Sequence, residues 1–281
     1  MTQPTPRRSP ILSFSSDPAP ALVVRAADAF AFSSGLAASI GASLSLVASG
    51  ALGVSDPASW AFLAGSGTFI IYSLDRLRDL DRDRAISPLR TAFVRRNRQR
   101  LYAAVCIAAI GFVATLLLAP PSIILLCLAI GLVGLFHRRL KQAAALKTAY
   151  VSLAWVAGCV GIPWLASGHA SGGPWIAGIL LASLAANLIA SNLRDGRGEA
   201  REPTDRGDTA QVLWLARGMA VLAITIALIS PAALRALVWI PICEGLTLAR
   251  FRPTERYGQI AVDGGLLVGA LLASIHLEWA A

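Results

Sequence analysis

Long apolar blocks recur along the whole chain, and they restrict its fold more than any other feature does. Nine of them cover residues 27–53, 57–75, 99–118, 121–137, 147–167, 174–193, 209–229, 231–248 and 258–276. Each block is close to the roughly 20 residues that a helix needs to cross a bilayer. The blocks lack the alternation of apolar and polar residues that strands show. The sequence therefore predicts an all-α integral membrane protein with nine transmembrane helices.

Composition and charge support a membrane protein over a soluble one. Hydrophobic residues make up 56% of the 281 residues and charged residues 15%, against roughly 45–50% and about 25% in soluble domains. The mean hydropathy is +0.63. The net charge of +9 could suggest nucleic acid, but the basic residues lie between the apolar blocks instead of along one soluble face. We expect membrane lipid as the surroundings and no nucleic-acid partner.

The distribution of Lys and Arg predicts the orientation. With a cytoplasmic N-terminus, nine spans place 24 of the 25 basic residues on the cytoplasmic side, and only Arg235 on the other. Such asymmetry follows the positive-inside rule. We therefore expect a multi-pass protein of the cell (inner) membrane with its N-terminus in the cytoplasm.

The first 20 residues differ from the rest of the chain. They contain five prolines with serines between them and no long apolar run. This composition is typical of a disordered tail and makes a poor signal peptide. We predict a cytoplasmic tail at 1–20 and one membrane domain at 21–281.

The first of two acidic segments begins where the second apolar block ends. If the helix continues there, Asp75, Asp79 and Asp83 recur at i, i+4 and i+8 and share one face. Alternating charges often make a solvated, salt-bridged helix end. However, ionisable groups near membrane depth usually face a cavity or a pathway. A salt-bridged helix end and a metal site therefore both remain possible here.

The second acidic segment follows the sixth block. Asn192, Asp195 and Glu199 lie at i, i+3 and i+7, which again is one helical face, unless Gly196 and Gly198 end the helix earlier. Mg²⁺ prefers oxygen ligands and usually takes one or two protein carboxylates, with water and substrate phosphate completing its shell. Two facing acidic segments could thus hold a diphosphate through Mg²⁺.

Short motifs in these segments resemble those of a known family. The residues that carry the likeness are Asp75-Arg76-Leu77-Arg78-Asp79, Arg84, Ser87-Pro88-Leu89, Leu146-Lys147, Trp155, Gly161-Ile162-Pro163-Trp164 and the run from Asn192 to Glu199. In order and placement they resemble the two aspartate motifs and the intervening basic segment of the UbiA superfamily of intramembrane prenyltransferases. The resemblance covers about residues 21–276.

The resemblance implies a helical bundle with a central cavity and a Mg²⁺-dependent reaction. An isoprenoid chain would be transferred from its diphosphate, an isoprenyl diphosphate, to a lipophilic acceptor. Asp75 and Asp79 would bind Mg²⁺ on one wall of the cavity.

By the same resemblance, Asp195 and Glu199 would bind Mg²⁺ on the opposite wall. Lys147, Arg84 and Asn192 would contact the diphosphate, and Lys147 would serve catalysis. Tyr72 is the further catalytic candidate, because it lies one helical turn before Asp75 and its ring could face a carbocation.

The chain departs from the family pattern at three positions. An Asn and an Asp usually precede the first aspartate pair, and here Ile71 and Tyr72 occupy those positions. Glu199 stands where Asp is commoner. These departures bear on the transfer reaction more than on diphosphate binding.

Two rival functions remain beside prenyl transfer. One is an isoprenoid-diphosphate cyclase of the same fold, and the other is a transporter or lipid-binding membrane protein. A transporter should have broken helices in corresponding halves, and Gly65-Ser66-Gly67 and Gly161-Ile162-Pro163 are the candidate breaks.

Three carboxylates in or near the apolar blocks form a second group of candidates. They are Asp28, Glu244 and Asp263. Carboxylates at membrane depth are functional by default. The alternative is a structural pairing, of Arg25 with Asp28 at the interface and of Arg250 with Glu244.

Overall fold

A computed structural model describes residues 22–140, 144–196 and 206–280, with side chains described except at 135–140, 144–146, 194–196, 206–208 and 280. Every regular element within these ranges is helical. The predicted tail at 1–20 lies outside the described residues. The helices are α1 (Leu22–Phe32), α2 (Gly35–Ala51), α3 (Pro57–Arg78), α4 (Leu80–Ile86), α5 (Pro88–Arg96), α6 (Arg98–Leu117), α7 (Pro121–Leu140), α8 (Ala144–Val156), a π-helical turn (Ala157–Gly161), α9 (Ile162–Ala166), α10 (Gly173–Gly196), α11 (Arg206–Ile229), a 3₁₀ helix (Ala232–Val238), α12 (Trp239–Ala249), a second π-helical turn (Tyr257–Val262) and α13 (Asp263–Ala280).

Among the described residues, six helical segments are long and apolar enough to cross a membrane, and the bent pair α1–α2 makes a seventh if it counts as one span. The six are Arg98–Leu117, Lys147–Ala166, Gly173–Leu193, Thr209–Ile229, Ala232–Ala249 and Tyr257–Trp279. The chain is therefore an all-helical, multi-pass membrane protein. Helices also lie at the other predicted blocks, in α3 and α7. However, the apolar part of α7 is only Pro121–Gly134, and α3 contains several Gly, Ser and Thr residues. Nine crossings remain a prediction.

The sequence suggested one continuous helix for the first apolar block, but the structure shows two. The block divides into α1 and α2, which meet at a bend of 68°. At the bend Ser34 has φ of 71°, a left-handed conformation that cannot continue a right-handed helix. The guanidinium of Arg76 donates from Nη1 to the carbonyl oxygens of Ala31 and Phe32, both at 2.9 Å. Arg76 thereby satisfies two carbonyls that the end of α1 would leave unpaired.

Helix α2 forms the centre of the bundle and packs between α3 and α13. Small residues allow α2 and α3 to approach closely: a Cβ added at Gly65 would lie 2.9 Å from the Cβ of Ala42, and one at Gly41 would lie 2.7 Å from Oγ1 of Thr68. Small interfacial residues are the usual means by which membrane helices pack. Leu44 of α2 is fully buried in the resulting core.

Helix irregularities occur mostly where the sequence did not indicate them. Helix α3 runs unbroken through Gly65-Ser66-Gly67, so that candidate break was wrong. The fifth block does become irregular, in the π-helical turn Ala157–Gly161 just before Pro163. Proline removes one helical hydrogen bond and crowds the preceding turn, which a wider π turn relieves. The last block also begins with a π-helical turn, Tyr257–Val262.

Contacts between distant segments stabilise the side of the bundle where the C-termini of α3 and α10 lie. The Glu255 carboxylate accepts hydrogen bonds from the backbone N–H groups of Leu89 (3.1 Å) and Arg90 (2.8 Å), and so caps α5. Arg256 donates to both carboxylate oxygens of Asp28, at 3.1 and 2.9 Å. The suggested Arg25–Asp28 pair is therefore wrong, because the segment after α12 brings a different cation to Asp28.

Candidate functional site

The first acidic segment lies at the C-terminal end of α3. The helix is interrupted at Asp79, with φ −101° and ψ 18°, before α4 begins. The N–H of Asp79 nevertheless donates to the carbonyl of Asp75 at 3.0 Å, and the N–H of Asp83 donates to that of Asp79 at 2.9 Å. Asp75 and Asp79 thus remain one turn apart despite the interruption. Asp79 is 7% exposed.

Asp83 has a different setting from the two preceding aspartates. It forms an ion pair with Arg90 of α5, with Oδ2 and Nη2 2.7 Å apart. Of the two interpretations of this segment, a salt-bridged helix end and a metal site, the salt bridge therefore applies to Asp83. Asp79 lines a shallow open depression together with Arg78, Asp81 and Arg82.

Helix α8 connects the second acidic segment to the bundle through Lys147. The Lys147 Nζ donates to Oδ1 of Asn192 on α10 at 3.0 Å, and Nδ2 of Asn192 donates to Oγ1 of Thr148 at 3.0 Å. All three residues are half-buried. The structure thus brings together Lys147 and Asn192, two of the residues that the resemblance assigns to a diphosphate.

The same helix α8 also faces the first acidic segment. Tyr72 of α3 accepts a hydrogen bond at its hydroxyl oxygen from Nε1 of Trp155 at 3.0 Å. The two rings meet edge to face, with centroids 5.8 Å apart and planes at 83°. Tyr150 lies within electrostatic reach of both Asp75 and Tyr72. Tyr150 was not a sequence candidate, although its spacing of three residues from Lys147 places both on one face of α8.

The remaining predicted site residues are less closely placed. Arg84 is exposed near the end of α4. Asp195 belongs to α10, but its side chain lies outside the described part, and Glu199 lies outside it altogether. Within the described residues no three His, Cys, Asp or Glu side chains are grouped so as to hold a metal ion. Asp75 and Asp79 therefore supply carboxylate oxygens suited to Mg²⁺, but only one wall of the predicted site.

An apolar groove starts beside Lys147 and runs along the outside of the bundle between α8, α10 and α11. Its volume is about 390 Å³, and it begins at Thr148, passes Ser152 and Ile189 and reaches Leu215. The first residue of this groove is thus the hydrogen-bond partner of Asn192. The apolar groove therefore begins beside the polar Lys147–Asn192 pair.

A second polar group lies inside the bundle. Nδ2 of Asn187 on α10 donates to Oδ1 of Asp263 at 3.2 Å, and Asp263 is within electrostatic reach of Tyr72 and of Glu244 on α12. Glu244 is fully buried. The suggested neutralisation by Arg250 is wrong, because the C-terminal end of α12 places Arg250 on the exposed surface.

Comparisons with protein-family models, with curated proteins and with solved structures found no match to this chain.

Proposed function

We propose that the chain is a UbiA-like, Mg²⁺-dependent prenyltransferase that moves an isoprenoid chain from its diphosphate to a lipophilic acceptor within the membrane. The observation that carries the proposal is the position of α8. Its Lys147 contacts Asn192 of the second acidic segment at 3.0 Å. Its Tyr150 approaches Asp75 of the first. Both acidic segments thus approach α8, one at Lys147 and the other at Tyr150, and this arrangement supports a diphosphate site beside that helix.

Each residue has a distinct part in the proposed reaction. The bond that breaks joins the allylic carbon to the diphosphate oxygen, and the electron pair leaves with the diphosphate. The Lys147 ammonium donates to a phosphate oxygen and stabilises the charge that develops there. Asn192 orients that ammonium. The acceptor then attacks the allylic carbon and releases a proton.

Tyr72 and the apolar groove would bind the isoprenoid half of the substrate. The Tyr72 hydroxyl accepts from Trp155, and this fixes the ring so that its face can stabilise positive charge on the allylic carbon. The groove that begins at Thr148 would hold the isoprenoid chain away from water. The substrate's two halves, one anionic and one apolar, match the two kinds of surface that meet at Thr148.

Magnesium would be held by Asp75 and Asp79 on one side and by Asp195 and Glu199 on the other, with Arg84 as a further diphosphate contact. When bound, the ion neutralises the diphosphate and makes it a better leaving group. Asp75 and Asp79 are one turn apart, so both carboxylates can face one ion or two adjacent ions. The proposal includes the nine-span topology in the cell inner membrane with a cytoplasmic N-terminus.

The test uses the full chain in lipid nanodiscs with Mg²⁺ and allylic diphosphates of several lengths. We expect Mg²⁺-dependent release of diphosphate and, with a membrane lipid extract as the acceptor source, a prenylated product detected by mass spectrometry. A cyclised hydrocarbon formed without acceptor would instead establish the cyclase alternative. Neither product, at any Mg²⁺ concentration, would contradict enzymatic transfer and cyclisation alike.

The transporter or lipid-binding alternative has one structural observation in its favour. Broken helices occur in the first block, at the 68° bend, and in the fifth and last blocks as π-helical turns. In proteoliposomes, a transporter would accumulate the allylic diphosphate inside without consuming it. Recovery of intact substrate inside the vesicles would decide for this alternative.

A further inference from the structure

The buried polar group between α10, α12 and the second π-helical turn contains carboxylate and amide atoms that form no well-aligned hydrogen bond among the described residues. Glu244 has no exposed surface, and although Asn187 lies within hydrogen-bonding reach of its carboxylate, neither oxygen has a partner of good geometry among those residues. Gln259 is 3% exposed, and neither its amide oxygen nor its amide nitrogen has one. Burying an uncompensated carboxylate costs several kcal/mol. Something other than these contacts must offset that cost.

Two contacts place the second π-helical turn beside Glu244. The Tyr257 hydroxyl donates to the carbonyl oxygen of Thr247 at 2.7 Å, and Thr247 Oγ1 donates to the carbonyl of Glu244 at 2.7 Å. Oε2 of Glu244 in turn points at the start of α13, because a Cβ added at Gly265 would lie 3.3 Å from it. The Glu244 side chain is therefore directed into the space at the junction of the π-helical turn and α13.

Two further members of the group, Asp263 and Asn187, lie at the same junction. Asp263 is the first residue of α13, lies within electrostatic reach of Glu244 and accepts from Asn187 at 3.2 Å. The amide oxygen of Asn187 is a further potential ligand for a hard cation. Gln259 lies four residues before Asp263, within the π-helical turn. Such turns are frequent at functional sites, where they redirect side chains.

We propose that Glu244, Asp263, Asn187 and Gln259 form a site for one dehydrated monovalent metal cation, with Na⁺ as the probe. The potential ligands are two carboxylates and two amide oxygens, which suit a hard cation. Mg²⁺ keeps several of its waters when bound, and the complete burial of Glu244 argues against a hydrated ion. A proton on Glu244 would remove its charge and is the competing means of compensation that the test distinguishes. The site is separate from the Asp75–Asp79 pair and does not rest on the proposed transferase activity.

The test measures thermal unfolding of the full chain in nanodiscs by tryptophan fluorescence, with EDTA present to remove divalent ions. Choline chloride is replaced stepwise by NaCl at constant ionic strength. We expect the melting temperature to rise saturably with Na⁺, because a ligand that binds only the folded state stabilises it. Equilibrium binding of radioactive Na⁺ should show one ion per chain.

Matched variants separate this site from general salt effects. Glu244→Gln and Gln259→Leu should each weaken Na⁺ binding by at least roughly tenfold, or about 1.4 kcal/mol. Glu278→Gln, which removes an exposed carboxylate from the same helix as Asp263, should bind Na⁺ as the wild type does. Gln259→Leu changes no charge, so it remains informative if Glu244→Gln fails to fold. Equal melting temperatures in Na⁺ and choline, with no bound radioactive Na⁺, would overturn the proposal and leave protonation of Glu244 as the means of compensation.

Discussion

Replacing Lys147 by methionine tests the basic residue of α8 that contacts the second acidic segment. Methionine keeps the length and apolar stem of the side chain but removes Nζ, which lies 3.0 Å from Oδ1 of Asn192. A hydrogen bond to a charged group contributes about 1.5–3 kcal/mol, and each 1.4 kcal/mol is tenfold in affinity. We therefore expect Lys147→Met to weaken Mg²⁺-dependent binding of an allylic diphosphate by roughly 10- to 150-fold. The assay is equilibrium binding of radiolabelled diphosphate to the protein in nanodiscs.

Two further variants make this measurement specific. Arg100→Met removes one exposed basic residue from the first turn of α6 and should leave affinity within about twofold, because exposed charges are screened. Asn192→Ala should weaken binding less than Lys147→Met, and the double variant should be no weaker than Lys147→Met alone, since Asn192 acts by orienting Lys147. Equal losses in Lys147→Met and Arg100→Met would refute the reasoning, because they would show only a general effect of positive charge.

Three other predictions follow from single contacts or from the topology. With the four cysteines replaced by alanine, an impermeant thiol reagent should label Ala85→Cys and spare Ser171→Cys in sealed inside-out vesicles; equal labelling would contradict the nine-span orientation. Trp155→Phe removes the hydrogen-bond donor to Tyr72 and should lower the free energy of unfolding by about 1 kcal/mol. The double variant with Tyr72→Phe should lose less stability than the sum of the two single variants. Strict additivity would mean that this hydrogen bond contributes nothing to stability. Glu255→Ala uncaps α5 and should cost about 1 kcal/mol, whereas Glu278→Ala should leave the melting temperature unchanged; equal effects would exclude a capping role.

The sequence predicted the long apolar helices, but neither the short helix α5 between them nor the points at which the apolar helices break. Long apolar blocks reveal helices because the bilayer demands both length and hydrophobicity. The bend at Ser34 depends on Arg76, which is 42 positions further along the chain and reaches the carbonyls of Ala31 and Phe32. No local pattern around Ser33-Ser34 encodes that contact. In contrast, Pro163 is a local signal, and a helix irregularity does occur directly before it.

The candidate site shows the same division between local and long-range information. The spacing of Asp75 and Asp79 follows from helical geometry, and the structure keeps them one turn apart. Pairings between helices depend on the packing, so the sequence suggested that Asp28 pairs with Arg25, and the structure pairs it with Arg256. The Tyr72–Trp155 and Asn187–Asp263 contacts likewise join residues 83 and 76 positions apart. Spacing along one helix therefore located candidates, but it could not match them across the bundle.

The most direct test of the central claim asks whether the two acidic segments hold one Mg²⁺–diphosphate group. The measurement is Mg²⁺-dependent binding of an allylic diphosphate to the wild type, Asp75→Ala and Asp195→Ala, each in nanodiscs. Asp83→Ala is the matched control, because Asp83 is already paired with Arg90 at 2.7 Å. We expect Asp75→Ala and Asp195→Ala each to abolish Mg²⁺-dependent binding while Asp83→Ala retains it. Unchanged binding in either Asp75→Ala or Asp195→Ala would contradict a shared site.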